Sequence, residues 1–341
     1  MRILVTGGTG FIGGHVLREL ANSEHRVRCL VRPTSSTTEA EAAGAELIVG
    51  DVTDPESVRR AVDGCEAVIH AANVYDFWLK HTSEFRAVNV EGTRNVMEAA
   101  LAVGIRKVVH VSSFVVYEGC TQACPNEQSE PGTPSASRYS RSKADAEQLV
   151  WELHRTRDLP LVVVYPGGVT GPGDSKPSGR YIETLVRGRM PAQVLVKSGV
   201  PWVHVRDVAR VIVRALEKDG NVGERYFAAA EWLTFGEFNR MISEASGVRV
   251  PRIVMPNFIL MPSAALLSLF GRVFGFAPIL GMSLDQIRTM KRGFPVDGSK
   301  AERELGIRYE RVAEAVAEAV ASIGSTRTSV GIETQFARRR T

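Results

Sequence analysis

Short apolar runs alternate with helical stretches through the first half of the chain. Ile3–Val5, Val27–Val31, Glu46–Val49, Ala67–Ala71, Val108–Ser112 and Leu161–Tyr165 are short, largely β-branched and bounded by turn residues, which predicts strands. Between them, Phe11–Ala21, Pro55–Val62, Ser83–Val103 and Tyr139–Arg157 read as helices. Asp54 stands before Pro55 as an N-cap, with the proline at the first helical position. Strands this uniformly apolar are buried on both faces. The alternation therefore predicts an α/β fold with a Rossmann-type doubly wound parallel sheet, helices covering both sides.

After about residue 166 the regularity fades. Glycine and proline cluster from Pro166 to Gly179, which predicts a loop leaving the sheet. Segments near Val203–Leu216, Thr234–Ser246 and Leu284–Arg292 look like strand or helix pieces of a smaller lobe. The expected division is a main domain over residues 1–166, with sheet-completing segments from about 200–230. A smaller C-terminal lobe follows over 167–324, then a flexible tail over 325–341 that lacks periodicity. The most apolar stretch, Phe258 to Met282, is interrupted by Pro262, Arg272 and Pro278. A spanning helix wants about 20 apolar residues without such breaks, so no transmembrane segment is expected. A buried or pocket-lining helix is the preferred reading, with contact to a membrane surface the lesser alternative.

Composition narrows the partners. The formal charge is +4, from 42 basic and 38 acidic residues, and part of the excess sits in Arg338-Arg339-Arg340. That balance gives no reason to expect nucleic acid. Four cysteines (Cys29, Cys65, Cys120, Cys124) are too few for a disulfide framework, and no second Cys/His pair completes a metal site with Cys120 and Cys124. Met1-Arg2 runs straight into the first strand with no signal peptide, so a cytoplasmic location is expected.

The first strand leads into Thr6-Gly7-Gly8-Thr9-Gly10-Phe11-Ile12-Gly13. Gly7 permits a tight turn, Gly10 lets backbone approach a pyrophosphate, and Gly13 lets helix pack on strand. The helix N-terminus adds unpaired N–H groups and a positive dipole end. A dinucleotide cofactor is implied. At the end of the second strand an acid would bind the ribose 2′-hydroxyl of NAD, whereas an arginine accommodates the 2′-phosphate of NADP. Here Val31 is followed by Arg32, which favours NADP(H) over NAD. Asp51, in Gly50-Asp51-Val52, could hold the adenine amino group or serve as a turn or cap residue.

Tyr139 and Lys143 lie four apart on a predicted helix, hence on one face. A lysine cation about 4 Å from the phenol contributes on the order of 4 kcal/mol at an effective dielectric of 20. That corresponds to roughly three pKa units, before desolvation acts against it. The expectation is a phenol brought toward neutral pH. The preceding strand ends in Ser112-Ser113, where a parallel sheet binds ligands and a hydroxyl can donate to a carbonyl oxygen.

With these pieces placed, the chain resembles an extended short-chain dehydrogenase/reductase of the NAD-dependent epimerase/dehydratase superfamily, from Met1 to about Ile323. The resemblance rests on the glycine turn, Gly50-Asp51-Val52, His70-Ala71-Ala72-Asn73, Asn89-Val90-Glu91-Gly92-Thr93 and Val111-Ser112-Ser113. Tyr139 with Lys143, His204-Val205-Arg206-Asp207-Val208-Ala209, and Ser299–Gly306 complete it. It implies that Tyr139 is the general acid/base, that Lys143 lowers its pKa and holds the nicotinamide ribose, and that Ser113, rather than Ser112, orients the substrate oxygen. It also implies that Ala71 and Ala72 line the cofactor groove with Val52, that Pro166 and Val169 flank the nicotinamide, and that Asn89 helps organise the site. A homodimer through the Tyr-Lys helix would be usual. The Val31-Arg32-Pro33 ending and the stretch from Lys176 to Pro191 resemble the dihydroflavonol-4-reductase-like and 3β-hydroxysteroid-dehydrogenase-like branch, which includes bacterial hopanoid-associated sugar epimerase-type proteins.

Two departures stand out. The sixth strand ends Tyr165-Pro166-Gly167-Gly168 where the family usually has Arg-Pro or Asn-Pro, and Ser112-Ser113-Phe114 lacks the carboxylate that sugar-nucleotide dehydratases carry there. The second argues against elimination chemistry. The tract Tyr117–Ser137 is expected as an extended loop near the site. The leading expectation is an NADP(H)-dependent oxidoreductase that reduces a ketone, or oxidises a secondary alcohol, of a rather apolar small molecule. Candidate pocket segments are Val74–Trp78 and Phe258–Phe276. Epimerisation of a nucleotide sugar with bound NAD is the alternative, and a non-catalytic dinucleotide sensor the remoter one.

Overall fold

A computed structural model describes residues 1–76, 82–133, 137–274 and 283–323. The expected tail at 325–341 lies outside them. The first half runs β1 (Arg2–Thr6), α1 (Phe11–Ala21), β2 (Arg26–Val31), α2 (Thr38–Ala42), β3 (Glu46–Val49), α3 (Pro55–Val62), β4 (Ala67–His70), α4 (Thr93–Ala102), β5 (Lys107–Val111), α5 (Arg138–Arg157) and β6 (Leu161–Pro166). Then come β7 (Gly168–Thr170), α6 (Pro177–Val186), β8 (Gly199–His204), α7 (Val205–Glu217), β9 (Arg225–Ala228), β10 (Glu231–Thr234), α8 (Phe235–Ser246), α9 (Asn257–Phe274), α10 (Leu284–Lys291) and α11 (Ser299–Leu305). Residues 312–323 form a further helix.

Seven parallel strands make the main sheet in the order β3-β2-β1-β4-β5-β6-β9. Strand alternation sorts its side chains into two layers. Leu4, Val68, Val108 and Val163 pack with Val58, Val96, Met97 and Val150 of α3, α4 and α5. Ile3, Val5, Ile69, Val109 and Val162 pack on the other face with Val16, Leu17 and Leu20 of α1 and Val208, Val211 and Ile212 of α7. The order reverses between β1 and β4, and ligands of such sheets bind at that crevice.

The stretch Val203–Leu216 resolves into the end of β8 and most of α7, joined where His204 Nδ1 accepts from the Arg206 amide at 3.0 Å. Helix α7 covers the main sheet and β9 completes it, so the chain returns to the first layer after leaving it. The Gly-Pro tract after Pro166 is not simply a loop. It contains β7, which pairs in parallel with β8, itself antiparallel to β10. Gly167 and Gly168 serve close packing there: a Cβ on Gly168 would sit 2.8 Å from Val200, and one on Gly167 would strike the Pro201 carbonyl. Within the expected helix Ser83–Val103, Phe85–Gly92 adopts the wider π form before α4 begins. Such bulges concentrate at functional sites.

Candidate active site

Where β1 ends, Gly7 has φ +73°, and a Cβ on it would lie 2.5 Å from the Ala72 nitrogen. Only glycine combines that conformation with so close a neighbour. A Cβ on Gly13 would collide with the Gly7 carbonyl oxygen, which already accepts from the Gly10 amide at 2.9 Å. Gly10 is the N-cap of α1 and offers no side chain to its first turn, which holds no acid. The N–H groups there are left for a ligand, as a pyrophosphate requires.

This turn is one wall of a cavity of about 620 Å³ along the carboxyl ends of the strands. Every expected catalytic and cofactor-binding residue lines it. Gly7, Thr9, Gly10, Phe11, Ile12 and Gly13 stand at one end. Arg32, Asp51, Val52, Ala71 and Ala72 follow, and Ser113, Tyr139, Lys143, Pro166 and Val169 lie further along. Arg32 is exposed beside Thr34, Ser35 and Ser36, where a ribose phosphate could reach it. Asp51 fills the turn role while still facing the cavity: its Oδ1 accepts from both the amide and the hydroxyl of Thr53 at 2.8 Å.

Ser137 caps α5, its hydroxyl accepting from the Ser140 amide at 3.3 Å, and this starts the helix just before Tyr139. Tyr139 is buried, and its ring meets that of Tyr75 at 5.1 Å. Its phenol is pushed up to about 12 by burial, opposed by hydrogen bonds with Ser113 and Asn73. This corrects the expectation that Lys143 brings the phenol toward neutrality. Desolvation dominates, and Lys143 points its Nζ elsewhere, donating to the Val111 carbonyl at 3.0 Å. Burial in turn lowers Lys143 to about 8, with the Glu147 carboxylate one turn along α5 acting in the opposite direction. Ser113 is the serine engaged with Tyr139, whereas Ser112 Oγ is buried without a partner.

Asn89, in the π turn, binds the backbone of Val74 through both amide atoms and donates to Ser142 Oγ at 2.9 Å. Ser142 in turn donates to the Tyr139 carbonyl at 2.8 Å, so one side chain ties the segment after β4 to α5. Beneath it, His70 bridges Thr6 at 2.7 Å and Thr93 at 2.9 Å, and burial drops its pKa to about 3, so it stays neutral.

Several lining residues escaped sequence reasoning. Asn73 stood inside a recognised motif, yet its bond to Tyr139 depends on how the segment after β4 turns. Tyr181, Trp202, Phe235, Gln286, Thr289 and Met290 form the far end, on α6, β8, α8 and α10. Within Val74–Trp78, Val74 and Tyr75 line the cavity, while Phe77 and Trp78 lie outside the described residues. The expected pocket role of Phe258–Phe276 does not hold for its described part. Leu260 and Ala264 of α9 are buried in the core, its other face is exposed, and α10 supplies the lining instead. The four cysteines are unpaired.

Residues 3–229 match the NAD dependent epimerase/dehydratase family, and the chain belongs to it, within the extended short-chain dehydrogenase/reductases. Among its relatives, sterol demethylase protein B of Methylococcus capsulatus is 34% identical over 94% of this chain and 98% of its own. A putative dihydroflavonol 4-reductase of Synechocystis is 29% identical over 93% and 92%. The crystal structure of gox2253 superposes with a TM-score of 0.81 at 35% identity, covering 95% of this chain and 98% of the other.

Proposed function

We propose that this enzyme is an NADP(H)-dependent ketone reductase, or secondary-alcohol dehydrogenase, acting on an apolar small molecule. The observation that carries the reading is the character of the cavity beyond Tyr139. Its wall includes Tyr75, Tyr181, Val200, Trp202, Phe235 and Met290, and besides Arg32 and Lys143 the one cation lining it among the described residues is Lys176. A nucleotide sugar brings a diphosphate that would want several cations there. An apolar skeleton wants aromatic walls. The buried, unpartnered Trp202 Nε1 and Gln286 Oε1 offer one donor and one acceptor for its few polar groups. We further assign residues 167–324, apart from α7 and β9, to the substrate lobe.

The glycine cradle fits a dinucleotide: the α1 N-terminus would hold the pyrophosphate, Arg32 a 2′-phosphate and Lys143 the nicotinamide ribose. When bound, the nicotinamide supplies or accepts the hydride. The chain's own groups handle the proton. Tyr139 is protonated at neutral pH and is the group that would give its proton to the oxygen of a carbonyl under reduction. Ser113, bonded to the same phenol, orients that oxygen. The names of these two relatives, a sterol demethylase protein and a putative dihydroflavonol 4-reductase, support a multi-ring substrate.

The purified protein should consume NADPH with members of a panel of apolar cyclic ketones. NAD that co-purifies with the protein, together with nucleotide-sugar epimerisation and no net consumption of reduced cofactor, would overturn the proposal in favour of the epimerase reading.

A further inference from the structure

Surface helices of this protein generally turn charge outward: α3 exposes Glu56, Arg59 and Arg60. Helix α9 does not. Its inner stripe, Leu260 and Ala264, is buried in the core. On the opposite side Phe258 is 77% exposed, Ile259 45%, Leu266 56% and Leu269 60%, with exposed Pro262 and Ala265 between them. These positions run i, i+1, i+4, i+7, i+8, i+11, which is a second apolar stripe at helical spacing on the outside. Just before the helix, Ile253 and Val254 are exposed as well. Patches of this kind mark interaction surfaces.

We propose that the outer face of α9 docks the protein onto the surface of a lipid bilayer carrying anionic headgroups. The charge pattern selects this occupant. Residues 245–284 contain no aspartate or glutamate and three arginines, Arg249, Arg252 and Arg272. Continuing to residue 292 adds Arg288, Lys291 and Arg292 against Asp285 alone. Asp285 is occupied at the start of α5, accepting from the Arg138 amide at 3.0 Å, and Arg292 stands 3.8 Å from Glu118. Over the whole chain, by contrast, 42 basic residues nearly balance 38 acidic ones. Apolar side chains flanked by cations suit the boundary between acyl chains and anionic headgroups. A second copy on the same face would bring two cationic flanks together. Among the described residues no helix is long and apolar enough to cross a membrane, so the contact is interfacial.

The place of α9 gives the contact a purpose. Leu284, which opens α10, donates its amide to Ser268 Oγ of α9 at 3.0 Å, and α10 carries Gln286, Thr289 and Met290 of the cavity wall. Docking would bring that wall close to the bilayer, from which an apolar substrate could enter. This consequence rests on the proposed function; the docking itself does not.

The test is co-sedimentation of the full chain with phosphatidylglycerol/phosphatidylcholine vesicles and with phosphatidylcholine alone. The protein should pellet with the anionic vesicles and far less with the neutral ones. A Phe258→Glu/Leu266→Glu/Leu269→Glu variant should lose about tenfold or more of the bound fraction, with thermal transition and NADPH affinity unchanged. Leu269→Glu alone, run in parallel, should show a smaller loss and keeps the readout if the triple variant does not fold. Wild-type protein left in the supernatant with anionic vesicles would overturn the proposal, as would variants that bind like wild type. A solution dimer dissolved by these substitutions, with vesicle binding unaffected, would assign the face to a second copy instead.

Discussion

The Nζ of Lys143 donates 3.0 Å to the carbonyl oxygen of Val111, tying the second turn of α5 to the last residue of β5. The bond sits one step before Ser112-Ser113 and one helical turn after Tyr139, so it sets the distance between the two sides of the candidate site. It also buries a cation, which lowers Lys143 from 10.5 to about 8.

A pH dependence of stability follows. Between about pH 8 and 10.5 the unfolded chain still holds a proton that folded Lys143 has released. The unfolded state binds more protons there, so stability should rise with pH through that window, by an amount on the order of 3 kcal/mol across it. Lys143→Met should remove the rise. Urea unfolding of both proteins at several pH values checks this, and parallel curves would contradict it.

Gly13→Ala should weaken both fold and cofactor binding, because its Cβ meets the Gly7 carbonyl at the centre of the cradle. Overpacking of this kind costs about 1–3 kcal/mol. A lowered melting temperature together with weaker NADPH binding is expected. Gly104→Ala is a useful contrast, since a Cβ there meets nothing within 4 Å although its φ of +67° is strained. It should destabilise the fold and leave cofactor affinity unchanged.

Arg32→Ser should shift cofactor preference. A charged hydrogen bond to a phosphate contributes about 1.5–3 kcal/mol, so NADPH affinity should fall roughly tenfold to a hundredfold. NADH affinity should barely change. Titration of both reduced cofactors by fluorescence measures the two, and equal losses would place Arg32 on a part shared by both.

The geometry of the candidate cofactor half was legible in the sequence because local rules govern it. Gly7 and Gly13 are needed by backbone geometry, and Tyr139 and Lys143 share a face through helical periodicity alone. What tunes them was not legible. Burial of the Tyr139 phenol, and the choice by Lys143 of a backbone carbonyl, arise from tertiary packing that spacing does not encode. The substrate end was hidden for a related reason: Trp202, Phe235 and Met290 come from three distant elements and meet only in the fold. Gly167 and Gly168 misled because glycine signals a turn and a close approach with the same letter. In Phe258–Phe276 apolar character was plain, but the sequence does not say which side of a helix that is apolar all round meets protein.

The most direct test of the central claim is turnover by Tyr139→Phe with NADPH and a ketone that the wild type reduces. The phenyl ring preserves the packing against Tyr75 and removes the proton donor. Its rate should fall by about 10²–10⁴, the range of general acid–base catalysis, while NADPH affinity stays within a fewfold of wild type. A Tyr139→Phe enzyme that reduces the ketone at the wild-type rate would contradict the account.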